Sequence, residues 1–194
     1  MKKITIASGD ALIIVDVQND FLPGGSLAVK HGEKVVPFLN RYITLFQTKR
    51  LPIFATRDWH PANHCSFQAQ GGVWPQHCVA GTQGAAFPFQ LNLPSDACII
   101  SKATTPEKDA YSGFEGTELE SRLRAAGVRR LFVGGLATDY CVLDTVRDAR
   151  LYNYPTFLLG DAIHAVNVHP EDGRLALEEM MRLGAEPTGI EALE

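Results

Sequence analysis

Apolar residues in this chain fall into short, nearly continuous runs, separated by stretches in which they recur every three or four positions. Ala11 to Val17 is almost wholly apolar and branched, the pattern of a strand covered by helices on both faces. Residues 33 to 49 then place Val35, Val36, Leu39, Tyr42, Ile43 and Phe46 at helical spacing, predicting a helix that packs on a sheet. Further strands are predicted at Pro52 to Thr56, Ala97 to Ser101, Leu131 to Val133 and Pro155 to Leu159. Thr117 and Glu120 predict a capping box for a helix through Leu119, Leu123 and Ala126 that Gly127 stops. Gly134 and Gly135 predict a turn after the 131–133 strand, and Thr138 or Asp139 caps the next helix, whose buried face is Val142, Val146 and Ala149. A last helix runs from about Pro170 to Leu183 and ends at Gly184. Strands alternating with helices predict an α/β fold, with a mostly parallel sheet sandwiched between helical layers.

Composition narrows the functional classes. With 194 residues, 45% hydrophobic and 21% charged, one substantial core is expected, and a single domain over 1–194 is the simplest division. A net charge of −4 with interspersed signs leaves no basic stripe for nucleic acid, and no apolar run approaches the length of a membrane span. The charged start and the apolar run bracketed by Asp10 and Asp16 read as a first strand rather than a signal peptide. Four irregularly spaced cysteines, Cys65, Cys78, Cys98 and Cys141, do not resemble a disulfide framework and point to a reducing cytoplasm.

The candidate chemistry gathers at strand ends, beyond which open parallel sheets collect ligands. Asp16 follows the first strand, where it is placed either for chemistry or to hold the loop after it. Lys102 follows the third, pointing into the cleft, where an ammonium lowers a cysteine's pKa. Cys141 falls in the first turn of its helix, where free amides and the helix dipole favour a thiolate and stabilise an oxyanion; taken alone, it is also compatible with a buried, packing cysteine. Asp58 and His60, two apart in extended chain, face the same way. The loop from 61 to 96, long enough to be functional, offers His64 and His77 as further ligands, with Trp74 as an aromatic wall. One carboxylate and two histidines with open positions suit Zn²⁺, Fe²⁺ or Mn²⁺. Cys78, Cys98 and Asp161 are expected to be structural, Asp161 by holding loop amides.

These residues sit in segments that match a known family. DVQNDF around Asp16, PGGSLAV, RDWHPANHCSF, WPQHCVAGTQGA, the Lys102 strand, YSGFEGT and GLATDYCV resemble the nicotinamidases, members of the isochorismatase-like cysteine hydrolases. The likeness runs in order from about Asp16 to Gly184. It implies a Rossmann-like sheet order, an Asp16, Lys102 and Cys141 triad, and one divalent metal ion, zinc before iron or manganese, on Asp58, His60 and His77, with His64 a possible additional ligand. It further implies a cis peptide just before Ala137, an oxyanion hole from the Ala137 and Cys141 amides, and Phe21, Trp74 and Tyr111 around the substrate ring. Tyr140 stands where some members have histidine. The implied reaction is metal-dependent hydrolysis of nicotinamide to nicotinate and ammonia through a cysteine thioester, in NAD salvage, with pyrazinamide as a related substrate. A homo-oligomer is compatible with the family.

Three rivals remain at this stage. Another isochorismatase-like amidase acting on a different small amide would use the same scaffold. A non-haem iron oxygenase accounts for the two-histidine, one-carboxylate set but leaves Lys102 and Cys141 unexplained. A non-catalytic binding module would have no use for an intact nucleophile and base.

Overall fold

The computed structural model describes residues 3–194. Six strands form one sheet: β1 (Asp10–Val15), β2 (Ile53–Asp58), β3 (Cys98–Lys102), β4 (Arg130–Leu136), β5 (Thr156–His164) and β6 (Glu186–Thr188), in the order β3-β2-β1-β4-β5-β6. Every neighbouring pair is parallel, so each connection crosses back over the sheet, as the alternating pattern requires. Order and direction make the expected Rossmann-like sandwich.

Strand alternation divides the core in two. Leu12 and Ile14 of β1 pack with Leu39, Ile43 and Phe46 of α1 (Val35–Thr48) on one face. Ala11, Ile13 and Val15 face the opposite way, toward Leu119 and Leu123 of α2 (Leu119–Ala125), Val146 and Ala149 of α3 (Leu143–Leu151) and Met180 of α4 (Asp172–Arg182). All six residues of β1 are buried, which explains why its sequence lacks a polar face. No helix among the described residues is long and apolar enough to cross a membrane.

Several boundaries differ from the sequence-based expectation. Gly134 and Gly135 do not end β4 but lie within it, at a register irregularity against β5. Gly135 has φ +128°, and a Cβ there would lie 2.1 Å from the Val15 carbonyl oxygen, so glycine permits close pairing rather than a turn. Neither Thr138 nor Asp139 caps α3; a π-helical turn, Thr138–Val142, precedes it. The Asp139 carboxylate instead accepts the amides of Val166 and Asn167, at 2.9 and 2.8 Å. The capping box is half formed: Thr117 Oγ1 accepts the Leu119 amide at 3.1 Å, while Glu120 pairs forward with Arg124. β5 continues to His164, placing Asp161 inside the strand, where it accepts Tyr42 Oη at 2.6 Å and the Ile190 amide at 2.8 Å. The short β6 had no signal, because three residues carry no readable period.

Candidate active site

Three strand ends and one helical turn converge beyond the carboxyl edge of the sheet. The chain leaves β1 and β3 through left-handed residues, Asp16 at φ 46° and Ala103 at φ 50°. Non-glycine residues in that region gather at functional sites, where surrounding structure holds them. Asp16 and Lys102 are buried, and Lys102 Nζ lies 2.9 Å from Asp16 Oδ2. The same ammonium donates to Asp58 Oδ1, to the Ala110 carbonyl at 3.0 Å and to Cys141 Sγ at 3.6 Å. Oxygens of Asp16 and Asp58 and the sulfur of Cys141 all lie within 4.8 Å of one another. Thus the carboxylate, ammonium and thiol expected from three distant segments do meet.

Burial sets the protonation of this cluster. It penalises the Lys102 ammonium, but the Asp16 and Asp58 carboxylates outweigh it and hold Lys102 charged. For Asp58 burial is overcome chiefly by the Lys102 ammonium, leaving a carboxylate well below the usual range. For Asp16 burial prevails over Lys102, with Asp58 adding repulsion, and its pKa is raised. The Cys141 thiol goes the same way: burial lifts it well above its ordinary value, Lys102 opposes this, and the two carboxylates add to it. The expected resting thiolate is therefore corrected. Desolvation beats the neighbouring ammonium and raises the thiol's pKa.

The candidate metal-ligating cluster is Asp58, His60 and His77, whose donor atoms lie within 4.8 Å of one another. The long loop supplies His77 by pairing with the chain beside His60: the His60 amide donates to the Cys78 carbonyl at 3.0 Å, and the Ala80 amide to the His60 carbonyl at 2.8 Å. Each histidine has Nδ1 against a carbonyl, Ala103 at 3.2 Å for His60 and Pro75 at 2.7 Å for His77. That contact fixes the Nδ1–H tautomer and leaves Nε2 as a lone-pair donor. His60 Nε2 is buried without a hydrogen-bond partner, and burial keeps His77 below its ordinary pKa and hence neutral. An orphaned buried nitrogen, a neutral imidazole and an ionised carboxylate form a donor set that fits a divalent cation. His64 is not in the cluster. Its ring stacks on His60 at 4.1 Å, with Nδ1 on Ser66 Oγ at 2.7 Å and Nε2 on the Lys108 carbonyl at 3.1 Å, so neither nitrogen is left for an ion.

Between thiol and metal cluster lies a cavity of about 60 Å³, room for a small molecule only. Phe21, Trp74, Tyr111 and Tyr140 line it with Ala137 and Cys141. Trp74 Nε1 donates to Tyr111 Oη at 3.0 Å, and the Tyr140 ring meets Trp74 edge-on at 5.4 Å. The Leu136–Ala137 peptide is cis, as the resemblance implied. Two residues had no assigned role in the sequence reading. Thr56 Oγ1 donates to Asp16 Oδ1 at 2.6 Å. Gln18, wholly buried, clasps the Asp58 backbone: its Nε2 donates to the Asp58 carbonyl at 2.8 Å and its Oε1 accepts the Asp58 amide at 2.8 Å. A buried glutamine two residues after a strand-end aspartate was the available signal, because an amide inside a core must be matched by backbone.

Comparison with known proteins agrees with this geometry. The chain is 39% identical over 196 residues to the nicotinamidase of Escherichia coli, covering 90% of this chain and 92% of that protein. The structure of the Pyrococcus horikoshii pyrazinamidase in complex with zinc superposes with a TM-score of 0.91 at 50% identity, covering 94% of this chain and 99% of that one. That of PnC1 from L. infantum in complex with nicotinate gives the same TM-score at 38% identity, covering 99% and 98%. Residues 10–192 match the model of the isochorismatase domain, and the chain accordingly belongs to the isochorismatase family.

Proposed function

We propose that this protein hydrolyses nicotinamide to nicotinate and ammonia in NAD salvage, with pyrazinamide as a second substrate. The observation that carries the reading is the meeting of Asp16, Lys102 and Cys141 at a small aromatic-walled cavity beside two ligand-ready histidines. The relatives described as nicotinamidases and pyrazinamidases support the substrate class.

In this scheme Asp16 Oδ2, which receives no well-directed hydrogen bond, takes the Cys141 proton as the sulfur attacks the carboxamide carbon. Lys102 remains an ammonium and offsets the charge that appears on sulfur. The tetrahedral oxyanion is received by the Ala137 and Cys141 amides. Asp16 returns its proton to the departing nitrogen, ammonia leaves, and the acyl group remains on sulfur as a thioester. Asp16 then deprotonates water, which attacks the thioester, releases nicotinate and restores the thiol. Phe21, Trp74 and Tyr111 hold the ring so that the carbonyl carbon faces sulfur. Asp58, His60 and His77 would hold the cation, for which zinc is our assignment, since nitrogen and oxygen donors suit it and the P. horikoshii relative carries it. When bound, such an ion supplies a Lewis-acidic anchor for the substrate. Four free thiols suit a cytoplasmic location.

Ammonia release from nicotinamide, pyrazinamide and unrelated small amides, with and without chelator, tests the assignment. The expected result is turnover of the two aromatic amides that falls on chelation. Cys141→Ala should lose turnover by at least about a thousandfold and still bind nicotinamide; an active variant would eliminate the thioester.

A further inference from the structure

Resting on the nicotinamide reading, we propose that Asp109 is a specificity-determining residue, whose fixed charge on the cavity wall disfavours the carboxylate product relative to the neutral carboxamide substrate. Asp109 is half-buried and lines the same cavity as Cys141, His77 and Tyr111. Its Oδ1 accepts the amide of Ala110 at 2.9 Å, and among the described residues no cation lies within 4 Å of its carboxylate. The adjacent Lys108 turns instead to Glu115, at 3.5 Å. Lys102 is engaged by Asp16 and Asp58. Nor does Asp109 belong to the metal-ligating cluster. Its position is nonetheless fixed, because the carbonyl of the next residue, Ala110, receives the buried Lys102 ammonium at 3.0 Å. From there its charge acts on His64, His77 and Tyr111.

A cavity-lining carboxylate that is neither paired with a cation nor in the ligand cluster has no task in the empty protein beyond the Ala110 amide, so its use is sought in what occupies the cavity. With Asp16 and Asp58 ionised, Lys102 protonated and a divalent cation bound, the cluster carries one net positive charge. That charge attracts any carboxylate. Asp109 brings the sum to zero. The substrate is neutral and the product carries one negative charge, so the field of Asp109 acts on the product and leaves the substrate almost untouched. Low-dielectric walls amplify that difference.

Equilibrium binding of nicotinate and nicotinamide to the metal-loaded full chain, in a Cys141→Ala background that blocks turnover, tests the proposal. Asp109→Asn is expected to tighten nicotinate by about three- to tenfold, to change nicotinamide by less than about twofold, and to lose part of that gain at high salt. Asp109→Glu, which keeps the charge, should discriminate as the parent does. Equal changes for both ligands, unchanged nicotinate affinity, or a glutamate variant that behaves like asparagine would each overturn it. Failure of the protein with Cys141 intact to hydrolyse nicotinamide would overturn the activity reading instead, so the two failures are told apart.

Discussion

Asp16 and Cys141, the proposed base and nucleophile, share one buried environment. Both are removed from water, and burial raises both pKa values; in the proposed scheme the proton passes directly between them. The sign of the pH dependence follows. A raised pKa means that the Asp16 carboxylate is lost, on acidification, at higher pH than an ordinary aspartate. The acid limb of kcat/KM is therefore expected above the usual aspartate range near 4. A pH profile with its limb within that range, or an Asp16→Asn variant that keeps its rate, would contradict this role.

At the scale of elements, the junction of β4 with the following helical turn places Ala137 and Cys141 at the cavity. Its most constrained position is Gly135, whose missing side chain lets β4 lie against the Val15 backbone. Gly135→Ala is expected to destabilise by about 3 kcal/mol or more, read as a lowered denaturation midpoint with activity lost in proportion to folded protein. Much of this architecture was legible in the sequence. β1 to β5 announced themselves as apolar runs, and the strand-end logic found Asp16, Lys102 and Asp58. What escaped were features decided by tertiary contact. Asp139 has the chemistry of a cap, but the amides of Val166 and Asn167 claim it. The two glycines look like a turn locally and become strand only because β1 lies alongside. His64 resembles a ligand until Ser66 and Lys108 are seen to occupy its nitrogens. The resting thiol, too, depends on burial that no local pattern encodes.

For the whole molecule, the loop from 61 to 96 is tied to the sheet through few ladder contacts, notably those around His60 and Val79. An ion on Asp58, His60 and His77 would fasten loop to β2 and favour the folded state by mass action. At a hundredfold excess over its dissociation constant that is about 2.7 kcal/mol, and removing it should lower Tm by roughly 5–10 °C. Scanning calorimetry before and after chelation, and after restoring zinc, checks this; an unmoved transition would mean that the cluster binds no ion of consequence.

The placement of Lys102 between two buried carboxylates has a consequence for inheritance as well as chemistry. Replacing it by a neutral residue strands two like charges in the interior, where an unbalanced charge is severely unfavourable. In a survey of inactive alleles, Lys102 changes would surface as missing protein. Cys141→Ala alleles, by contrast, would give a normal yield of silent enzyme.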